Sequence, residues 1–554
     1  MKGLMELRGL SRVVYTGSAG CFIIVLSIYF GIAGFPYLLQ QQIKSKIVLN
    51  NGSEGMEAWE SLPLPLEFKV FIFNVTNPDE VSKGMQPVVQ ELGPYVYDQY
   101  RRKVNIEFTE DDTISYRIEK KFYFNKNKSG CYRESDVVVV PNVPLIGTAY
   151  RVEERFPMGL IFINSSASLL FPGIKNLFLT TTVGDLFFNG VRIKCDYLKG
   201  PAMPVCQGIK RNLPPSLKEI PLSRDFAFSY FSDANSSVSG VFKTYRGNKN
   251  VYDLGRIIKY DNNTHLTMWD KNTTCSELKG TDSTILAPIQ NKDQDIYIFL
   301  PEVCLSLKAV FSRETNMYGI DVYQYMASHH NFDSEKRNPS HICRCKKQED
   351  EPNAPPMCLK DGAIDASKCQ GAPVVFTYPH MLFADPEYQN YVKGYKGDYE
   401  KHQTEVFIEP RTGVPLAAFK RIQMNIFLRR LEDVDLFANI SEGLFPLIWI
   451  EEALTEELVQ TYLSDMKELM STTRIIMSVT GLLIGVGIFC LLVALILYIK
   501  HRNVACMKEN QVVSNISLIG HGIVTRKDPD TAEKRIAYDL PNSLSSDRLT
   551  VQKF

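Results

Sequence analysis

Four cysteines lie close together in one polar stretch of the sequence. They are Cys343, Cys345, Cys358 and Cys369. Thiol groups at such spacing can hold a zinc ion, exchange electrons or form disulfide bonds, and the redox state of the compartment decides among these. Histidine adds no metal site, because His329 and His330 are adjacent and their side chains are expected to diverge. The chemistry of these cysteines therefore depends on where the chain is located.

Two uncharged apolar segments predict a membrane protein. Residues 13–43 and 475–499 contain no charged side chain. At about 1.5 Å per helical residue, either segment can cross a hydrocarbon core of roughly 30 Å. No small-x-small cleavage site follows the first segment, so we interpret it as an uncleaved anchor rather than a signal peptide. The sequence thus predicts a transmembrane segment at 13–43 and a transmembrane helix at 475–499.

Glycosylation signals predict the side of the membrane on which the central segment lies. Eight Asn-x-Ser/Thr sequons without proline fall between the two apolar segments, and we expect a glycan at each. They are at Asn51, Asn74, Asn127, Asn164, Asn235, Asn262, Asn272 and Asn439. We therefore predict a plasma-membrane protein with two spans, in which 44–474 is extracellular and both termini are cytosolic. The tail 1–12 is short, and the tail 500–554 is polar, aperiodic and expected to be disordered.

This location makes disulfide bonds the expected state of the central cysteines. Segment 44–474 contains nine cysteines, an odd number, so at least one is free or pairs between chains. No metal ion is predicted. Cys506 follows the second span beside basic residues, where a cysteine is a candidate for palmitoylation.

The central segment is expected to be an α+β domain that is mainly β. Apolar residues alternate at Ile114, Tyr116 and Ile118, and again in 422–426, as in half-buried strands. Two stretches predict helices instead: short helices within 154–181, and an amphipathic helix over 451–470 that leads into the second span. Acidic and basic residues are balanced at 62 each, which gives no indication of nucleic-acid binding.

Six dispersed sequence blocks resemble the markers of one family. They are "FNVTNPDEV", "ELGPYVYDQYRRK", "FLTTTVGDLFFNGV", "GTDSTILAP", the Cys-x-Cys pair at Cys343 and Cys345, and "IEPRTGVPL". In this order they resemble the CD36 scavenger receptor class B family, across the central segment and both spans. Within that family the chain most resembles the insect sensory neuron membrane proteins, and it resembles their second type more than their first. It departs from the family pattern after Cys304, where arginine is frequent and Leu305 stands here.

The resemblance implies a fold and a pattern of disulfide bonds. The implied fold is a β-barrel with a lumenal tunnel and a membrane-distal helical cluster. Three bridges are implied, and to these we add Cys195–Cys206, which leaves Cys131 as the odd thiol. The implied bridges are Cys275–Cys343, Cys304–Cys369 and Cys345–Cys358. In the entropic model, each of the three implied bridges constrains the unfolded chain by roughly 3 to 4 kcal/mol.

The resemblance also implies a function without catalysis or a cofactor. The implied ligands are fatty acids or hydrophobic odorants and pheromones, passed through the tunnel to the membrane or to an odorant receptor in insect chemosensory tissue. Odorant-binding carrier proteins are the implied donors. A methylene group gains roughly 0.8 kcal/mol on moving from water into an apolar lumen, so transfer needs no covalent step.

Candidate residues for the ligand entrance lie in and around the 154–181 stretch. Cationic side chains there can attract a carboxylate or an acidic carrier protein, and apolar side chains can form the mouth. The cations are Arg151, Arg155 and Lys175; the apolar candidates are Met158, Leu160, Phe162, Leu170 and Phe171. Taken singly, a residue of this kind is more often an ordinary surface charge or core residue. We interpret the basic run at 101–103 as an exposed strand end.

Three other functions are alternatives to lipid transfer. A ligand-gated channel shares the two-span topology, but the second span lacks a continuous polar face. An enzyme is disfavoured because no nucleophile elbow, phosphate-binding loop or zinc-protease motif is present in the sequence. A scavenger or docking receptor, which binds lipoprotein or a carrier protein without tunnel transport, remains the main alternative.

Overall fold

A computed structural model describes residues 2–195, 200–231, 233–347 and 356–519. The chain divides into two compact units. One contains the residues up to Ile32 together with those from Met477 onward, and the other is Ala33–Ile476.

Long helices stand at both ends of the described chain. Two helical stretches, Gly9–Ile47 and Glu456–Met507, are long and apolar enough to cross a membrane, and they include both predicted spans. A short π-helix, Phe30–Gly34, interrupts the first stretch. In the terminal unit the two helices touch, because a Cβ atom added to Gly20 would lie 2.8 Å from the backbone oxygen of Gly487.

The described residues form eleven α-helices. These are α1 Lys2–Tyr29, α2 Phe35–Ile47, α3 Glu54–Glu60, α4 Pro78–Val81, α5 Val143–Arg155, α6 Leu160–Leu170, α7 Ala202–Arg211, α8 Ser367–Gln370, α9 Pro386–Asn390, α10 Tyr399–His402 and α11 Glu456–Ile519.

Eighteen strands are present in the same residues. These are β1 Leu66–Val75, β2 Val89–Thr109, β3 Thr113–Phe124, β4 Val137–Pro141, β5 Phe178–Thr182, β6 Val191–Ile193, β7 Leu217–Glu219, β8 Phe226–Phe228, β9 Phe242–Tyr245, β10 Ile257–Tyr260, β11 Ile296–Leu300, β12 Leu305–Met317, β13 Ile320–Ala327, β14 Ile364–Asp365, β15 Val375–Thr377, β16 Glu405–Ile408, β17 Pro415–Leu428 and β18 Gly443–Ala453.

One large antiparallel sheet organises the central unit. Its strands run in the order β10-β9-β3-β2-β1-β18-β17-β16-β13-β12-β11, and β15 joins it through β17. Both edge strands bond to the same short segment: the Ile257 amide of β10 donates to the Gly280 oxygen, and the Thr281 amide donates to the Tyr297 oxygen of β11. The "GTDST" block therefore links the two edges of the sheet.

The predicted strand patterns are present, with one difference in burial. On β3, Ile114, Tyr116 and Ile118 are buried, as the alternation predicts. On β17, the polar residues Gln423 and Asn425 are also fully buried. The amide of Asn425 donates to the Val375 oxygen of β15, so the neighbouring strand supplies a partner for this buried amide.

Helix boundaries differ from the predicted ones. The helices expected in 154–181 begin earlier, at Val143 in α5, and end with α6 at Leu170; the end of the stretch, from Phe178, is strand β5. The helix expected from residue 451 begins at Glu456, because β18 extends to Ala453. At its other end, α11 continues to Ile519 into the tail expected to be disordered, whereas 520–554 lie outside the described residues.

Four disulfide bonds tie the central unit together. Three join the pairs that the resemblance implies, and the fourth is the added pair. They are Cys275–Cys343, Cys304–Cys369, Cys345–Cys358 and Cys195–Cys206. Cys131 and Cys506 are free and exposed.

Candidate functional site

An apolar cavity of about 440 Å³ lies within the central unit. This volume is within the range of roughly 300 to 1,000 Å³ found for small-molecule sites. Strands β11, β12, β13 and β17 contribute much of the wall, through Ile298, Leu307, Ala327, Ala418 and Ile422. Leu307 lies two residues after Leu305, where the chain departs from the family pattern, but Leu305 itself does not line the cavity.

Helices close to the candidate spans in sequence form another part of the wall. The end of α2 contributes Ile43 and Ile47, and α3 contributes Trp59. The start of α11 contributes side chains at helical spacing. They are Leu458, Tyr462, Met466 and Leu469, preceded by Leu454. The amphipathic stripe predicted for 451–470 therefore faces the cavity.

The cavity wall also carries charge, contributed by β2, β17 and β18. Arg101 and Glu452 form an ion pair whose two side chains are only 6% and 13% exposed. Burial opposes the charge of Glu452, but Arg101 and then Lys420 lower its pKa to about 2. All three residues line the cavity, and Lys420 lies directly opposite Glu452 in the strand register. This cluster is thus one charged part of a mainly apolar lining, which also includes Lys46, Lys308 and Arg421.

The interpretation of residues 101–103 as an exposed strand end is wrong for two of the three. Arg101 and Lys103 are buried, whereas Arg102 is exposed. The Lys103 ammonium lies 3.8 Å from Asp282 and donates to the Thr284 hydroxyl at 3.0 Å. Burial lowers the pKa of Lys103 to about 8, although Asp282 opposes that shift. The basic run reaches inward because alternate residues of β2 face the interior.

The predicted entrance residues lie in the helical cluster formed by residues 143–170 and the following turn, and none of them lines the cavity. Met158 is 81% exposed and Phe162 is 37% exposed, beside exposed Ile161 and Leu169. Leu160 and Leu170 are buried in the core, and Phe171 packs against it. The cluster therefore presents an exposed apolar surface made by part of the predicted set.

The three predicted cations differ in their surroundings. Arg155 and Lys175 are exposed. Arg151 is half-buried, and its guanidinium donates to the backbone oxygens of Asn212 and Gly371. Arg151 thus connects α5 to two other segments, whereas Arg155 and Lys175 face solvent.

The remaining sequence candidates have these positions. None of the eight sequon asparagines is buried; Asn164 differs in that both of its amide atoms bond to Asp435. The rings of His329 and His330 are 3.8 Å apart, so the expected divergence is wrong. Glu335 lies with Cys345 and Cys358, but both sulfurs are in a disulfide bond and are not thiolate ligands.

Sequence reasoning missed most of the cavity wall. Ala418 and Lys420 lie on β17, whose alternation over 422–426 indicates a half-buried strand but not a shared lumen. Glu452 lies where the sequence predicts a helix rather than a strand. The α11 stripe was the one available signal, since an amphipathic helix needs an apolar surface to cover.

Comparison with known proteins places this architecture in a family. The CD36 family model matches residues 18–498. Sensory neuron membrane protein 2 of Heliothis virescens is 36% identical over 457 residues, which cover 82% of this chain and 87% of the relative. Sensory neuron membrane protein 2 of Manduca sexta is 34% identical, with 84% and 90% covered. Sensory neuron membrane protein 1 of Apis mellifera is 31% identical, with 83% and 86% covered. The predicted resemblance is confirmed, and this chain belongs to the CD36 family.

Proposed function

We propose that this chain is a plasma-membrane receptor that captures hydrophobic ligands and passes them through its central unit to the membrane or to an odorant receptor. The ligands are fatty acids or hydrophobic odorants and pheromones, presented in insect chemosensory tissue by odorant-binding carrier proteins. The central unit is extracellular and both termini are cytosolic. The observation that carries the proposal is the apolar cavity, whose wall includes α2 and the start of α11.

The cavity supplies the driving force for ligand capture. Each methylene group gains roughly 0.8 kcal/mol on leaving water, so a long chain is retained without a covalent step. The side chains of α2 and α11 in the wall belong to helices that continue along the chain as candidate spans.

The helical cluster is the proposed entrance. Three exposed side chains form an apolar surface to which a ligand can bind: Met158, Ile161 and Phe162. Arg155 and Lys175 add positive charge on the same cluster. This combination suits a carrier protein or an amphiphile that bears a carboxylate.

The proposal is tested by filling the cavity. Ala418 lines the wall, and Ala418→Trp would place an indole ring in the lumen. Ala417→Trp is the matched control, because its neighbour position on β17 does not line the cavity. Cells displaying each form at equal surface levels receive a fluorescent fatty acid and a labelled pheromone-like ester. Uptake of both probes is expected to fall several-fold in Ala418→Trp and to remain at the wild-type level in Ala417→Trp.

A different result would favour the main alternative. Ligand binding to the cell surface without uptake, equal in wild type and Ala418→Trp, would indicate a scavenger or docking receptor that acts through the exposed helical cluster. In that case, the single substitution Met158→Asp would reduce ligand binding in the same assay.

A further inference from the structure

Two tyrosines are exposed on loops beside the helices that lead to the candidate spans. Tyr252, in the loop between β9 and β10, is 37% exposed, and Tyr318, in the turn between β12 and β13, is 46% exposed. Each loop contacts one of these helices within the central unit. The position of each ring can therefore be compared with the end of a predicted span.

Tyr252 lies beside α2. The side-chain amide of Gln40 donates to the Tyr252 hydroxyl at 3.2 Å. Gln40 belongs to 13–43, the uncharged segment that the sequence predicts to cross the membrane. The loop is held against the chain that follows α2, because the side-chain amides of Asn50 and Asn248 exchange two hydrogen bonds, at 3.0 and 2.7 Å. The Tyr252 hydroxyl is therefore level with the end of the first predicted span.

Tyr318 lies beside α11. Ile320, two residues further along the chain, belongs to the same apolar cluster as Met466 of that helix, and Met470 packs against the cluster. The second uncharged segment, 475–499, begins five residues after Met470, which is about 7.5 Å at 1.5 Å per helical residue. The turn that carries Tyr318 is therefore close to the start of the second predicted span.

The backbone conformation of this turn does not favour tyrosine. Met317 pairs with Ile320, so Tyr318 and Gly319 form a two-residue turn, and both have positive φ, +55° and +83°. Turns of this kind favour asparagine, aspartate or glycine, because a larger side chain is strained at positive φ. A half-exposed aromatic ring at such a position points to a contact outside the chain.

The charges at this end of the central unit indicate which class of lipid it fits. Lys249 is exposed in the same loop as Tyr252. The turn between β2 and β3 lies beside that loop, because the Asp112 carboxylate accepts from the Lys249 amide at 2.8 Å, and this turn adds exposed Glu110 and Asp111. Acidic and basic side chains are thus mixed here, so the surface does not require anionic head groups.

We propose that Tyr252 and Tyr318 insert their rings into the interface of the surrounding phospholipid bilayer and hold the central unit against the membrane. Tyrosine is enriched at membrane interfaces because its ring is apolar while its hydroxyl can reach water and head groups. The partner is a zwitterionic phospholipid surface, which supplies both environments. Contacts beside α2 and beside α11 limit tilting of the central unit on the membrane. This inference rests on the proposed spans and is independent of the proposed ligands.

The test places a fluorescent reporter at each position. Tyr252→Trp and Tyr318→Trp are made separately in the full chain and reconstituted in phosphatidylcholine nanodiscs. The lipid carries a nitroxide quencher either near the head group or near the end of the acyl chain. Emission of the wild type, which has three tryptophans, is subtracted. We expect the added emission to fall at least about 2-fold with the shallow quencher and less with the deep one, because tyrosine positions of this kind lie at head-group level.

Tyr123→Trp is the matched control. Tyr123 is also exposed, but it lies near the opposite end of β3 from Thr113, about 33 Å away at 3.3 Å per residue. Neither quencher should change its added emission.

Several outcomes would overturn the proposal. Unchanged emission at either Tyr252→Trp or Tyr318→Trp contradicts the docking surface, as does equal quenching of Tyr123→Trp. Quenching that appears only when anionic lipid is added contradicts the assigned lipid class. If the wild-type chain does not enter the nanodisc, the proposed spans fail as well, whereas a chain that enters without quenching loses only the docking surface.

Discussion

At the scale of single residues, the sequence shows which side chains are charged but not whether they are buried. Lys103 and Arg101 belong to a basic run that any sequence window would assign to the surface. In the structure, Lys103 is held by Asp282, which also accepts from the Tyr116 hydroxyl at 2.7 Å. These partners lie 166 or more residues away along the chain, and local sequence cannot reveal them. Such charges can be buried only because the fold places oppositely charged and hydrogen-bonding groups beside them.

The buried His402 predicts a loss of stability in acid. Its ring is 5% exposed, stacks on His380 at 3.9 Å, and accepts from the Asp398 amide. Burial, and then the neighbouring His380, lower its pKa from 6.5 to about 4, although Glu91 and Asp398 oppose the shift. Between these values the unfolded state binds the proton and the folded state does not. The contribution of His402 to the free energy of unfolding is therefore fully present above about pH 6.5. It falls by roughly 1.4 kcal/mol per pH unit as the pH drops towards 4.

The variant His402→Asn isolates this contribution, because its side-chain oxygen can still accept from the Asp398 amide. Thermal unfolding of the full chain is followed from pH 7 to pH 4. Wild type is expected to lose about 3 kcal/mol more than the variant over this range. Parallel curves for the two proteins would show that His402 is not the group responsible.

At the scale of elements, the sequence predicted strand and helix types well and their ends less well. The alternation at Ile114, Tyr116 and Ile118 identified β3 because one face of that strand is buried. The predicted start of the helix at residue 451 is too early, since β18 is buried on both faces over 444–449 and continues to Ala453. Pairing with β1 and β17 fixes that boundary, and such long-range pairing is not encoded locally.

The segment that links the sheet edges predicts a strict requirement for glycine at position 280. Gly280 has φ +85°, and an added Cβ would lie 1.8 Å from the Tyr297 oxygen. Gly280→Ala must therefore displace β11 or the segment, and we expect a loss of at least about 3 kcal/mol in the free energy of unfolding.

Gly319 offers a matched control for this prediction. It has φ +83° in the turn between β12 and β13, with no atom within 4 Å of an added Cβ. Gly319→Ala carries only the backbone penalty of about 1 to 2 kcal/mol. Chemical unfolding of both variants distinguishes close approach from backbone strain, and equal losses would contradict the assigned role of Gly280.

At the scale of the whole molecule, the family resemblance predicted the architecture that composition could only outline. Family membership is confirmed, and the mainly β unit with two apolar terminal helices agrees with it. The cavity was beyond residue-level reasoning, because its wall is assembled from strands between β2 and β18 and from helices at both ends of the unit. No single segment carries a pattern for a lumen; only the order of the strands brings Arg101, Lys420 and Glu452 together.

Glycosylation tests the orientation of the whole chain. If the central unit is extracellular, its sequon asparagines enter the secretory pathway, and the exposed ones, such as Asn51, Asn127 and Asn439, are expected to carry glycans. Asn164 is expected to be modified least, because its amide nitrogen donates to Asp435 at 3.2 Å from within α6. Peptide mapping after enzymatic deglycosylation gives the occupancy of each site, and Asn164→Gln should leave the mobility of the protein nearly unchanged while Asn127→Gln increases it. Absence of glycans at all eight sites would place the central unit on the cytosolic side and would contradict the proposed capture of extracellular ligands.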